Sequence, residues 1–411
     1  MELFLLQVGV LLRPILFLDV SVSLFGLSIF ELGAIGLFAL LMAAFLMRAS
    51  VGKDICLSAI DLFIFGYSLW CIATYVIYPD KVVPGEVAKW IIPLLTYTVA
   101  KNVIRSREQY QSILAIMIAG YVLPVIVSAL LIGIGQGVDY IDFWTKVPRY
   151  KGGYANTHNM AHSMGLLIMS VIIYATLRIT DPDSRGNKRD TVNKTILGIL
   201  CALALYCLYF SYVRTAILGL LIFGFVYLYP LNKKLLITAA AVVLVMVVVF
   251  VPAVEFLFRD VIGVVEGTHP LERIGSGRPY FWMNNLERFY DLPIDRQLAG
   301  SGIGNRTGIG AFVLGEDNIW ASHNDYLSIL IESGVVGFLL FIPIHVLLFM
   351  RTLRIAGKEK YVFVAFFVAT AIMNFFSNSY ITRFGIAQLY YIVMLYVELP
   401  RKQNVEPTPA S

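Results

Sequence analysis

Charge is scarce in this sequence. Lys, Arg, Asp and Glu make up 14% of its 411 residues, against about 25% in ordinary soluble chains. Hydrophobic residues reach 58%, and the mean hydropathy is +0.76. The length would suit two or three soluble domains, but such domains cannot hide that much apolar surface. A soluble enzyme, a nucleic-acid factor and a disordered chain are therefore excluded. Cysteine is equally sparse. Cys56, Cys71, Cys201 and Cys207 all lie in apolar runs, which leaves no disulfide framework and no cysteine-based metal site. The first residues lack a basic start and a small-residue cleavage site, so Met1–Leu18 reads as a first span. There is no internal repeat of the transporter kind. No nucleotide-binding motif is present either, so the protein does not draw energy from ATP.

What is present is apolar sequence in long continuous blocks, which fit α-helical spans. A β-barrel would alternate apolar and polar residues instead. The expected fold class is an all-α polytopic membrane protein with about twelve transmembrane helices. The segments lie near 2–18, 26–47, 55–78, 87–104, 110–134, 159–177, 195–213, 214–230, 235–254, 325–350, 361–377 and 382–399. Placing both termini in the cytoplasm puts 18 Lys and Arg residues in cytoplasmic loops. The other face and the spans hold 14, of which six sit in one long loop exempt from the rule. This asymmetry sets the orientation. The expected organisation is helices 1–9 over residues 1–254, an outer loop with short amphipathic helices over 255–324, helices 10–12 over 325–399 and a cytoplasmic tail over 400–411.

Cations on the outer face are the informative oddity, because short outer loops disfavour them. Lys81, Lys146, Arg149, Lys151, Arg214 and Arg383 join Arg259, Arg273, Arg278, Arg288, Arg296 and Arg306 of the long loop. Arg214 interrupts two apolar spans, where a charge in hydrocarbon costs roughly 2.5–3.5 kcal/mol. Two readings are open: an arginine snorkelling to the interface, or an anion site whose guanidinium fork matches phosphate oxygens. The stretch Ser322-His-Asn-Asp325 opens the tenth span. With Ser322 as N-cap, His323 would stand at a helix N-terminus, whose dipole keeps the imidazole neutral and able to take a proton. A purely hydrogen-bonding role for His323 is the competing reading. His158 and His162 are spaced like a helical metal pair, but no third ligand is evident. No Asp-x-Asp lies on the outer face, so arginines rather than a divalent cation would neutralise a pyrophosphate. Gly300-Ser-Gly-Ile-Gly304 reads as a turn, and Pro279–Tyr290 as an amphipathic helix.

In combination these segments resemble the O-antigen ligase/polymerase superfamily. His323-Asn-Asp-Tyr-Leu327 followed by Glu332-Ser-Gly-Val-Val-Gly337 carries the resemblance. So do Gly277-Arg-Pro-Tyr-Phe-Trp282, the glycine turn, Ser211-Tyr-Val-Arg-Thr-Ala216 and Tyr154-Ala-Asn-Thr-His-Asn159. The resemblance implies a GT-C-like glycosyltransferase of a Gram-negative inner membrane, with its active site facing the periplasm and the long periplasmic loop between spans 9 and 10. It implies an undecaprenyl-pyrophosphate-linked O-antigen donor and a lipid A–core acceptor, with no cofactor and no metal. His323 would be the base, and Arg214 and Arg278 would bind the pyrophosphate, with Arg288 and Lys81 next. Arg149, Arg306 and Asn324 are further candidates. A polymerase, whose acceptor is a lipid-linked repeat unit, and a lipid-linked oligosaccharide transporter are the alternatives.

Overall fold

The apolar runs fold as helices. The computed structural model describes residues 1–18, 23–24, 27–50, 55–77, 84–141, 147–180, 188–235, 237–238, 267, 278–304, 311–313, 319–321 and 323–399. In order come α1 (Glu2–Ile15), α2 (Ile29–Ser50), α3 (Ala59–Ile77), α4 (Pro84–Val103) and α5 (Arg107–Gly120). Next are α6 (Val122–Gly133), α7 (Thr157–Ile179), α8 (Lys188–Ser211) and α9 (Arg214–Leu228). Then follow α10 (Arg278–Tyr290), α11 (Ile294–Ala299), α12 (Asp325–Thr352), α13 (Glu359–Phe376) and α14 (Phe384–Met394), which a 3-10 turn extends to Glu398. Among the described residues, three antiparallel strand pairs are β1 (Ser23–Leu24) with β2 (Leu27–Ser28), β3 (Val138–Ile141) with β4 (Pro148–Tyr150), and β5 (Ala311–Val313) with β6 (Ile319–Ala321).

Among the described residues, six helical spans are long and apolar enough to cross a membrane, α5 and α6 counting as one over Arg107–Gly133. Arg214–Leu228 and Phe384–Glu398 are shorter apolar helices. The protein is thus an all-α polytopic membrane protein. Every expected segment but the ninth coincides with a helix; 235–254 lies almost wholly outside the described residues. The first helix stops at Ile15 rather than at Leu18, and the 110–134 segment breaks at Tyr121.

Packing explains which helix is central. Of α7's span, 83% is buried inside the protein, more than for any other candidate span described. Its neighbours are α8, α13, α5, α9 and α14. A helix surrounded on all sides needs no polar face, and α7 carries small residues such as Ala161, Ser163 and Gly165 where neighbours press close.

Buried and half-buried ion pairs gather at one end of the bundle. Lys101 pairs with Asp61, which also accepts from Thr98 at 2.9 Å. Arg351 pairs with Glu398, which accepts from Tyr97. Arg107 meets Glu359 at 2.6 Å. Lys101, Arg107 and Arg351 are three of the cations that the charge asymmetry assigns to the cytoplasmic side. Each carboxylate keeps several donors, as a charge removed from water requires. The opposite end therefore carries the starts of α7, α9, α12 and α14.

Candidate active site

At that opposite end, residues 377–383 connect α13 to α14 and wrap around one carboxylate. Asp325, the first residue of α12, is fully buried. It accepts from the backbone N–H groups of Ser379 at 2.9 Å and Ile381 at 3.3 Å. It also accepts from the Thr382 hydroxyl and from Asn378 Nδ2 at 3.2 Å. Four donors from one loop converge on a group 53 to 57 residues away in sequence, so Asp325 fixes the loop's shape. The loop ends on Arg383, which donates to the Asn378 carbonyl and to Asn159 Oδ1. It approaches Asn156 Oδ1 at 3.5 Å. Burial pushes Arg383 down to about 10, with Asp325 opposing the shift, so the guanidinium remains charged at neutral pH.

Asn156 is the N-cap of α7 and accepts from Asn159 N–H at 2.8 Å. The cap sets where α7 starts and so where His158, Asn159 and His162 emerge. His162 Nε2 lies 3.2 Å from Ser379 Oγ. The His158 and His162 rings stack at 6.2 Å, and the His158 ring lies 6.1 Å from that of His323. Three histidines meet here, from two helix starts more than 150 residues apart in sequence.

The expected geometry of His323 needs correction. The N-cap of α12 is Asn324, whose Oδ1 accepts from Leu327 N–H at 3.0 Å. His323 stands before the helix with φ +51°, in the left-handed region. That conformation is uncommon for a side chain with a Cβ, and it costs of order 1–3 kcal/mol. Ser322, the expected cap, lies outside the described residues. The helix dipole is accordingly not the main cause of a neutral imidazole. Burial is the largest cause, and Arg278 and then Arg383 add to it, pushing His323 down to about 4. The expected charge state holds, and its cause is different.

Arg278 reaches the site through the packing of α10. This helix lies across α12, with Phe289 against Leu327 and Ile331. Its Trp282 ring sits 5.1 Å from Phe375 and 6.0 Å from Phe376 at the end of α13. Helix α10 is described from Arg278 and includes the expected Pro279–Tyr290 segment.

The glycine turn anchors this arrangement. Gly334 breaks α12 with φ +71° and ψ −179°, a conformation open only to glycine. The break frees carbonyls from the helical ladder, and each finds another donor. Ser301 N–H bonds Ile331 O at 2.8 Å, Gly302 N–H bonds Glu332 O at 3.2 Å, and Trp70 Nε1 bonds Ser333 O at 2.8 Å. A Cβ on Gly334 would stand 2.2 Å from Leu298 O. Gly334→Ala is expected to cost at least ~1–3 kcal/mol from backbone strain alone. A thermal melt in detergent measures it, and an unchanged midpoint would contradict this docking.

The remaining candidates separate. Arg214 starts α9 directly after Tyr212, which has φ +53°, and Val213. A Cβ on Gly219 would collide with Met373, so α9 and α13 touch there. Arg214 stands about 7 Å above that contact, level with the start of the 377–383 loop. Arg288 is exposed in the last turn of α10, about 15 Å along the helix from Arg278. It is not among the charges acting on His323. Arg149, on β4, lies over the Tyr140 ring at 5.3 Å. Asn324 caps α12. Lys81 and Arg306 lie outside the described residues. Among the described residues no group of three His, Cys, Asp or Glu side chains could hold a metal.

Two elements of this site were missed from sequence. Arg383 was one cation among many, and Asp325 was read only as part of a motif. The surviving hint was Arg383's place in a short outer loop, where cations are disfavoured.

Residues 199–342 match the family model described as O-Antigen ligase, Wzy_C. The match supports the O-antigen ligase/polymerase superfamily, whose members are membrane glycosyltransferase-like enzymes. It also supports a bacterial membrane location and lipid-linked polysaccharide substrates. No curated protein matches the chain. The matched segment contains Arg214, Arg278 and His323. It stops before the 377–383 loop and begins after the start of α7, so two walls of the site lie outside it.

Proposed function

We propose that this protein is an O-antigen ligase, an inverting membrane glycosyltransferase of GT-C-like character. It would transfer O-antigen glycan from undecaprenyl pyrophosphate to a sugar hydroxyl of lipid A–core at the periplasmic face of a Gram-negative inner membrane. The observation that carries the reading is a neutral His323 flanked by two arginines, Arg278 and Arg383. A sugar hydroxyl is a weak nucleophile, and a neutral imidazole can take its proton as it attacks the anomeric carbon. The bond from that carbon to the pyrophosphate oxygen breaks, and the electron pair leaves with the lipid pyrophosphate. Fixed guanidinium groups stabilise this growing negative charge. Attack opposite the leaving group inverts the anomeric centre without a covalent intermediate. Since arginines supply the positive charge, turnover is expected to persist in EDTA.

Complementation tests the reading. Strains lacking O-antigen ligase or O-antigen polymerase, with matching sugars, are transformed and their lipopolysaccharide is run on a silver-stained gel. A restored ladder in the ligase strain alone supports the ligase. A ladder only in the polymerase strain moves the acceptor to a lipid-linked repeat unit. Arg278→Ala and Arg214→Ala are each expected to lower kcat/KM by about 10²–10³-fold. Wild-type turnover in either variant would remove that residue from the site.

A further inference from the structure

Two half-buried imidazoles, His158 and His323, stand side by side at the site. His158 is the second residue of α7, and the start of that helix is fixed twice. Asn156 caps it, and Asp139 on β3 accepts from Thr157 N–H at 2.8 Å and from the Thr157 hydroxyl at 2.6 Å. Behind His158 the buried His162 ring stacks at 6.2 Å, with 25° between the planes. His162 is itself held. Its Nε2 lies 3.2 Å from Ser379 Oγ and 3.5 Å from Ser377 Oγ, and its carbonyl accepts from the Tyr380 hydroxyl at 3.1 Å. These contacts fix the place and the plane of the His158 ring.

Packing alone does not call for a histidine here. His158 Nδ1 is buried with no hydrogen-bond partner, and an unsatisfied buried polar atom costs about 1–3 kcal/mol. A phenylalanine would stack on His162 without that cost. Nε2 is the nitrogen left to meet a ligand. The His158 and His323 ring centroids are 6.1 Å apart, with the planes tilted by 37°. That is too far for a direct hydrogen bond between the rings, but it suits one oxygen held between them. A hydrogen bond of about 2.9 Å from a ring nitrogen places an oxygen about 4 Å from that ring's centroid. With the rings 6.1 Å apart, the angle at the shared oxygen is about 100°. A hydroxyl oxygen is close to tetrahedral, so it can meet both rings at once.

We propose that His158 and His323 together hold the attacking hydroxyl of the acceptor sugar, His158 donating a hydrogen bond to the oxygen while His323 takes its proton. The inference deepens the ligase reading and rests on it for the chemistry of the acceptor. Four directions leave a hydroxyl oxygen. One is the bond to its own carbon, and one carries the proton towards His323. One lone pair accepts from His158 Nε2–H, in the tautomer with its proton there. The last lone pair is then aimed at the anomeric carbon. In the step itself the proton moves from the hydroxyl oxygen to His323, and the new oxygen–carbon bond forms. The bond to the pyrophosphate oxygen breaks with its electron pair. His158 keeps its proton throughout. Its contribution is orientation, which turns a freely rotating hydroxyl into a near-attack arrangement.

Three substitutions in the full-length protein in nanodiscs test this, with lipid-linked donor and lipid A–core from one strain as substrates. His158→Phe keeps a flat ring on His162 and removes the N–H. It is expected to lower kcat/KM for the acceptor about 10²-fold and to leave donor retention unchanged. His158→Gln brings an amide N–H close to the Nε2 position and is expected to recover most of the transfer. His158→Asn carries the same amide one methylene shorter and is expected not to. Wild-type transfer by His158→Phe would make His158 a packing residue and overturn the proposal. Loss of donor retention in that variant would move the contact to the pyrophosphate and overturn it as well. Equal rates for the Gln and Asn variants would also overturn it, and that comparison stands if the Phe variant fails to fold. The two readings fail differently. A wild-type protein that transfers no glycan to lipid A–core would overturn the ligase reading and this inference with it. Transfer that ignores all three substitutions would overturn only this inference.

Discussion

His323→Ala is expected to lower the rate of glycan transfer by about 10²–10⁴-fold, the usual contribution of a general base. Donor binding should survive, because the arginines that hold the pyrophosphate are untouched. The measurement is turnover with purified lipid-linked donor, beside donor retention in the same detergent. A variant that lost donor binding together with turnover would make His323 a structural residue. One that retained full turnover would remove His323 from the chemistry, since a general base cannot be lost without slowing transfer.

The pH dependence gives the same residue a second signature. In the free protein, burial, Arg278 and Arg383 hold His323 near 4. The active form is the neutral one, so kcat/KM is expected to fall only as pH drops through about 4. A bound pyrophosphate places negative charge beside the arginines. That charge favours the imidazolium and raises the pKa. The acid limb of kcat should therefore lie at higher pH than the limb of kcat/KM. The shift is useful chemistry, because a base works best with a pKa near the working pH. The donor would tune the base that acts on the acceptor. Coincident limbs would mean that the donor's charge does not reach His323.

Local pattern revealed much of this protein and long-range contact revealed the rest. Continuous apolar runs located the helices because burial in lipid demands them. Lys101, Arg107 and Arg351 were grouped by charge asymmetry, and the structure places them at one end of the bundle, each with a buried carboxylate. Gly334 was visible as a glycine in a motif, but not as the break that lets the Ser301 and Gly302 amides dock on α12. His323 was legible as neutral through the wrong cause. The dipole argument used its neighbours in sequence, whereas Arg278 and Arg383 act on it from 45 and 60 residues away. The pair His158 and His162 looked like a stray metal motif because nothing local shows that His323 and Ser379 close over it. No spacing rule predicts that a loop will fold around a carboxylate contributed by another helix.

Asp325 and Arg383 are expected to behave as one unit. Asp325→Ala removes the acceptor of four loop donors, and an unsatisfied buried donor costs about 1–3 kcal/mol. The loop would relax and carry Arg383 away from Asn159 and His323. The expected loss in kcat is about 10²-fold, the lower range for removing one charge that stabilises a transition state. Arg383→Gln removes the same charge directly and should give a loss of similar size. Each change also takes positive charge from beside His323, so each should raise the acid limb of kcat/KM above its wild-type position. The double variant decides between shared and separate roles. If Asp325 acts by holding Arg383, the second substitution adds little to the first, a coupling of the kind seen within one hydrogen-bonded network. Losses that multiply would assign the two residues independent tasks. A fall in melting temperature without movement of the acid limb would reduce Asp325 to a packing role.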